Sequence, residues 1–217
     1  MSMKIGVTQS VEERIKATPL ELVEKAPLVF CWETHLIKVK HRNVLLIMNA
    51  SSNYTIAMTD IEPRNWNYYT LYIGNVIRGI MRSMGYSEEQ IQKYFELSGK
   101  PVVAKLCESG ITASMDDMVS CVAHFDKKLE SGVKYQWELS EFLNRNWCKA
   151  EGFDAYGYPQ EFFKLDMERL GIVGKRKKAN AIYCDSSCCT NCANRAIREN
   201  WSVRVLWIRS ALRIWKS

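Results

Sequence analysis

Histidine is scarce in this chain, with only His35, His41 and His124 among 217 residues. The H-E-x-x-H signature, the G-x-S-x-G elbow and a Gly-rich phosphate loop are all missing. Long apolar runs are missing too. The longest near the start, Asn43 to Met48, is far too short to span a bilayer. Residues 1–27 interleave Lys4, Glu12, Glu13, Arg14 and Lys16 with apolar residues, which breaks any secretory h-region. These absences predict a cytoplasmic protein with no transmembrane segment. No internal repeat or low-complexity tract is visible.

What remains has an ordinary globular composition, 47% hydrophobic and 25% charged, which excludes a disordered or fibrous chain. The net charge of +6 is unevenly placed. Residues 171–217 hold ten basic side chains against two acidic ones (Asp185 and Glu199), a net of +8. Residues 1–170 hold twenty against twenty-two, a net of −2. The body is slightly acidic and the last fifth of the chain is strongly basic.

The local patterns predict an α+β fold, a small antiparallel meander packed with helices. Thr18-Pro19-Leu20-Glu21 has the N-cap, first-turn Pro and third-position Glu of a short helix running to Lys25. Three β-rich runs follow, Leu28–Lys40, Asn43–Asn49 and Tyr54–Thr59, joined by turn residues too few to hold a crossover helix. After Pro63, the residues Trp66, Tyr69, Ile73, Val76, Ile77, Ile80 and Met84 recur at helical spacing as one buried stripe, with Gly85 as its stop. Gly74 and Gly79 within it hint at close backbone packing. Ser87-Glu88-Glu89-Gln90 is a capping box for a helix ending near Gly99, and a strand is expected over Pro101–Leu106. Ser114 is placed as the N-cap of the next helix, with Asp117 at its third position and Met115, Met118, Val119, Val122, Phe125 and Leu129 as its core stripe. Further helices are expected over Trp137–Trp147 and Pro159–Leu170, with 152–157 a loop between them. This divides the chain into an α+β domain (1–132), a helical segment (133–171) and a mainly helical, Cys-rich basic module (172–217).

Trp32 and Leu36, the basic turn Lys40-His41-Arg42, the run Leu45-Leu46-Ile47-Met48-Asn49 and the segment Ser114-Met115-Asp116-Asp117 together resemble a bacterial domain-of-unknown-function family. Members of that family are often encoded on plasmids and other mobile elements. Its pattern has Asn where Asp116 stands here. The resemblance covers roughly the first 130 residues, the size of one domain. It implies a compact α+β domain and a mobile-element setting, and no activity.

Candidate catalytic groups are few. Asp116 and Asp117 could form a metal-binding or general-base pair, but the same residues fit helix capping with better spacing. A toxin-like nuclease would use that pair or His41. Asp60 and Glu62 beside Arg64 and His41 form the other group, and solvated turn residues are its simpler reading. No catalytic residue is assigned, and the balance leans away from an enzyme.

The C-terminal string holds Cys184, Cys188, Cys189 and Cys192 within nine residues. The C-x2-C of Cys189 and Cys192 can chelate one Zn²⁺ from a tight knuckle. Cys184 could join after the loop reverses, and Cys188, Cys148 or a histidine could supply the fourth ligand. Free or redox-active thiols are an alternative. So is an iron–sulfur centre, since C-x4-C-x2-C matches part of a ferredoxin spacing. Disulfides would require an oxidising compartment.

Lys175-Arg176-Lys177-Lys178 is a basic run that must face water or a polyanion. From Ala193 a helix is expected, with Trp201, Val205, Ile208, Leu212 and Trp215 on one stripe and Arg198, Arg209, Arg213 and Lys216 on its flank. Such a helix can dock on the main domain. It can also meet the phosphates of RNA or DNA with Trp207 available for stacking, or lie on a membrane surface or in a partner's groove. The resulting expectation is a non-catalytic binding protein of a mobile element. Its basic module would contact nucleic acid or a nucleoprotein complex through Lys175 to Lys178, Arg198, Arg209 and Arg213. The alternative is a protein–protein inhibitor or adaptor, an anti-defence factor directed at a host protein.

Overall fold

A computed structural model describes residues 2–20, 26–105 and 109–174. Five strands form one mixed sheet in the order β4-β3-β2-β1-β5. The strands are β1 (Lys4–Val7), β2 (Cys31–Val39), β3 (Arg42–Asn49), β4 (Thr55–Thr59) and β5 (Val102–Lys105). The meander expected from the three β-rich runs is β2-β3-β4, antiparallel throughout. Its tip is a two-residue turn at Lys40-His41, both with positive φ, the backbone that a tight hairpin requires. The meander supplies three of the five strands. β1 pairs parallel with both β2 and β5. Four residues with a glycine among them carry too little alternation to announce β1 as a strand.

Helices cover both faces. On one lie α1 (Gln9–Glu12), α3 (Tyr69–Ser83), α4 (Glu88–Ser98) and α7 (Pro159–Arg169). On the other lie α5 (Ser109–Val122) and α6 (Trp137–Asn144). The central strand β3 explains itself in these terms. Leu45 and Ile47 pack toward α3 and α7, whereas Val44, Leu46 and Met48 pack toward α5 and α6. A strand buried on both faces reads as a continuous apolar run.

Both outer edges of the sheet are closed by short extended segments. Along β4, the Thr59 amide donates to the Lys134 carbonyl at 2.7 Å, and the Gln136 amide donates to the Ala57 carbonyl at 2.9 Å. Along β5, Leu20 bridges Ala104 in parallel, its amide donating to the Val103 carbonyl at 3.0 Å. Covering an edge in this way removes a template for pairing with other chains. Residues 133–172 share both hydrophobic clusters with the sheet, through Leu139 and Leu143 on one face and Phe163, Met167 and Ile172 on the other.

Several local expectations change. The helix start at Thr18–Leu20 is instead extended chain, because Leu20 is committed to the β5 edge; residues 21–25 lie outside the described residues. The single stripe from Trp66 to Met84 is broken at Tyr68 (φ −116°, ψ 46°) into α2 (Pro63–Asn67) and α3. Ser114 is not an N-cap. α5 begins at Ser109, so Asp116 and Asp117 stand on the exposed face of a continuing helix. α6 ends at Asn144, and the loop at 152–157 is the end of a small ribbon, β6 (Cys148–Lys149) and β7 (Tyr156–Gly157). The capping box at Ser87 and the stop of α7 ahead of Gly171, with φ +65°, are as expected.

Candidate functional site

The residues that the sequence singles out for chemistry in the described part are mostly occupied with structure. In the basic turn, Lys40 Nζ donates to the carbonyls of Asp126 and Lys127 at 2.8 and 2.6 Å. Arg42 donates to the Glu130 carbonyl at 2.8 Å and pairs with Asp60 Oδ2 at 2.7 Å. The turn therefore clamps the chain that follows α5. Glu62 pairs with Arg64 at 2.7 Å and with Lys134. Lys134 first, then Arg64, hold its carboxyl below the usual range. Asp60 thus belongs to one ion pair, with Arg42, and Glu62 with Arg64 to another, and His41 is an exposed turn residue. His124 is exposed near the end of α5, its ring nitrogen 3.1 Å from the Ser120 carbonyl.

His35 is the exception, because it joins a polar node at the β1–β2 seam. Its Nδ1 lies 2.9 Å from Thr8 Oγ1, which lies 3.0 Å from Ser10 Oγ; the Leu36 amide donates to Ser10 at 3.3 Å. Burial lowers the imidazole pKa, and the Asp116 carboxylate opposes that shift. Burial thus favours the neutral ring, which shares one hydrogen bond with Thr8 and anchors the turn into α1. Two positions along, Gly6 pairs in register with Glu33, and the buried Glu33 carboxylate lies directly over the glycine.

The cysteines of the described part are free. Cys31 is buried, and Cys121 and Cys148 are half-buried. Burial pushes the Cys121 and Cys148 thiols up, away from the thiolate. Among the described residues, no three His, Cys, Asp and Glu side chains converge as a metal ion would require. The cluster Cys184, Cys188, Cys189 and Cys192 lies outside the described residues. So do Lys175, Arg176, Lys177, Lys178, Arg198, Arg209 and Arg213.

The feature that sequence reasoning missed is the β6–β7 ribbon. Its register pairs Cys148 with Gly157 and Lys149 with Tyr156. Cross-strand partners share a face and neighbours along a strand alternate. Cys148 and Gly157 therefore turn inward, and Trp147, Lys149, Tyr156 and Tyr158 turn outward. The inner side is packed tightly: a Cβ on Gly157 would lie 2.6 Å from the Phe162 ring. The outer side is open, with Trp147 58%, Tyr156 62% and Tyr158 40% exposed. Trp147 and Tyr158 meet edge to face with ring centroids 4.9 Å apart. A cleft of about 410 Å³ adjoins them, lined by Asn144, Arg145, Tyr158, Gln160, Glu161 and Lys164. The signal was present as Trp147-Cys148-Lys149 and Tyr156-Gly157-Tyr158, two short stretches alternating large and small about a loop. Two-residue strands fall below what periodicity can detect.

A family model described as a domain of unknown function (DUF6933) matches residues 4–162. No curated protein matches the chain, and no solved structure does. Among the described residues, the matched span includes every strand and reaches into α7, and it contains the whole ribbon.

Proposed function

The chain belongs to the DUF6933 family, and we propose that it is a nucleic-acid-binding protein that acts without catalysis. The observation that carries this reading is the segregation of charge, a net of +8 in residues 171–217 beside a body of −2. A basic run such as Lys175 to Lys178 releases counterions when it meets a phosphate backbone, which drives sequence-independent association. The carboxylates and histidines of the body serve turns, ion pairs and helix surfaces, which suits a scaffold better than a catalytic centre. In this reading Arg198, Arg209 and Arg213 add phosphate contacts from a C-terminal helix. Cys184, Cys188, Cys189 and Cys192 hold a structural zinc that orders the module. The setting is a mobile genetic element in a bacterial cytoplasm.

Fluorescence anisotropy of the full chain with labelled RNA and DNA oligonucleotides tests the proposal. Binding at low salt, weakened at least tenfold when Lys175, Arg176, Lys177 and Lys178 are replaced by Gln, is the expected result. No binding at low salt, or no response to that replacement, overturns it. A stoichiometric protein partner that survives nuclease treatment of a lysate pull-down would favour an inhibitor or adaptor instead. Elemental mass spectrometry should find one zinc per chain, and a value near zero removes the metal from the reading.

A further inference from the structure

We infer that the outer face of the β6–β7 ribbon is a stacking platform for the bases of single-stranded nucleic acid, with the adjoining cleft taking the backbone or a base edge. The inference rests on the nucleic-acid reading above and adds a site within the described domain. Scattered exposed aromatics need no explanation in a folded protein. Here three of them share one side of one ribbon, together with Lys149, while the other side of the same ribbon is packed against the core. Trp147 and Tyr158 hold each other edge to face at 4.9 Å. A ring held in place loses little freedom when a base stacks on it, and every base offers a π-face, so such platforms bind single strands with little sequence preference.

Cations on this face can meet a phosphate backbone, interspersed with the carboxylates Glu141, Glu151, Asp154 and Glu161. Arg145, Lys149 and Lys164 stand on the ribbon and in the cleft. Of the nearby carboxylates, Glu141 holds Arg145 at 2.7 Å, and Glu151 is turned against Gly110 at the start of α5. Glu161 lines the cleft, and with the Gln160 amide it offers hydrogen-bonding groups suited to base edges. Asn144 is otherwise engaged, exchanging two hydrogen bonds with the Thr55 backbone at 2.8 and 2.7 Å. A duplex hides its base faces and cannot use such a platform. Preference for single strands therefore follows from the aromatics, and phosphate attraction alone would not produce it.

The experiment compares a labelled oligothymidine with a labelled duplex of equal length, using the full chain in low salt. Trp147→Ala with Tyr158→Ala should weaken single-strand binding by about tenfold or more, in line with the loss of one stacked base, and leave duplex binding within about twofold. Trp147→Phe should retain most of the affinity. Tyr156→Ala, at the most exposed ring, is an independent variant that reads the same face without touching the Trp147–Tyr158 pair, and circular dichroism checks the fold of each. If wild type binds both ligands and the variants bind single strands undiminished, the platform is wrong and the nucleic-acid reading survives. Equal losses on single strand and duplex also overturn the platform, because they mark a general phosphate surface. If wild type binds neither ligand, both readings fall together.

Discussion

The Trp32 indole donates a 3.0 Å hydrogen bond to the Tyr94 hydroxyl, which in turn donates at 2.8 Å to the carbonyl of Val29. This buried relay joins β2 and the adjoining 3-10 turn at Leu28–Phe30 to α4, which lies far along the chain from both. Tyr94 and Trp32 are almost wholly inaccessible, so no water can replace the hydroxyl if it is removed. Tyr94→Phe keeps the ring packing against Phe30 and Phe95 but strands the indole N–H, while the Val29 carbonyl keeps its 3.0 Å bond from Asn49 Nδ2. Leaving buried polar groups unpaired costs about 1 to 3 kcal/mol. Urea unfolding should show that loss in the midpoint at unchanged slope; a variant as stable as wild type would mean the relay contributes nothing net.

Gly6 and Glu33 make a second dependency that only the pairing register shows. A Cβ on Gly6 would stand 1.7 Å from Glu33 Oε2, and both residues are buried in the sheet. Gly6→Ala should therefore destabilise by about 1 to 3 kcal/mol through overpacking. The clash is specific to one carboxylate, so the double variant Gly6→Ala, Glu33→Ala should be less destabilised than the sum of the singles. A coupling of about 1 kcal/mol or more in that cycle is the expected outcome, and strict additivity would show that the glycine is needed for some other reason.

Asp166 predicts a pH dependence. It is 3% exposed, and burial raises its pKa to about 6, against the opposing pull of Ser51 and Arg169. A carboxyl whose folded pKa exceeds its unfolded value stabilises fully below the unfolded value, and that stability is lost as pH rises through the folded one. The window is therefore from about pH 4 to about pH 6. Asp166→Asn removes the titration while keeping the shape. Its stability relative to wild type should rise across that window by up to about 3 kcal/mol and then level off. Urea unfolding at pH 4, 5, 6 and 7.5 measures this. A difference that does not change with pH would show that the carboxyl titrates normally.

Two serines that look alike in the sequence separate in the structure, and they show where local reading works. Ser87 accepts from the Gln90 amide while Gln90 Oε1 accepts from the Ser87 amide, a true capping box. Ser114 precedes Asp117 with the same spacing, yet α5 has already run from Ser109. The cue that separates them is Ile111. It is buried four residues before Met115 and extends the stripe of Met115, Met118 and Val122 one turn back. Residues 109–113 (Ser-Gly-Ile-Thr-Ala) contain poor helix formers, so propensity conceals a turn that packing on the sheet supports. Ser87→Ala should cost about 0.5 to 2 kcal/mol, whereas Ser114→Ala should stay within about 0.5 kcal/mol. Comparing the two in thermal unfolding decides the point, and an equal loss at both would restore Ser114 as a cap.

The same contrast governs the rest of the fold. The meander and the long helices were legible because each buries one continuous stripe, visible within a window of consecutive residues. β1 and the extended segment at Leu20 were not, since their place depends on β5, about a hundred residues away from β1. The candidate site divides in the same way. Positive charge is additive along a sequence, so the basic run at Lys175 to Lys178 could be found by counting. The ribbon face exists only because Lys149 and Tyr156 meet in register across a loop.

That division also separates the two binding contributions in a single measurement. Neutralising Lys175, Arg176, Lys177 and Lys178 removes charge. Each lost phosphate contact on a single strand should flatten the slope of log K against log salt by about 0.7, or by nearly 3 if all four make contact. Replacing Trp147 and Tyr158 with Ala removes stacking surface and no charge. That variant should bind single strands more weakly at every salt concentration with its slope unchanged. Anisotropy titrations from about 50 to 200 mM salt, the range over which phosphate-dominated affinity falls steeply, resolve the two behaviours. A slope that flattens in the aromatic variant would mean that Trp147 and Tyr158 position phosphate contacts instead of stacking on bases. A slope unmoved by the basic-run replacement would place the phosphate contacts elsewhere, with Arg145, Lys149 and Lys164 the next residues to neutralise.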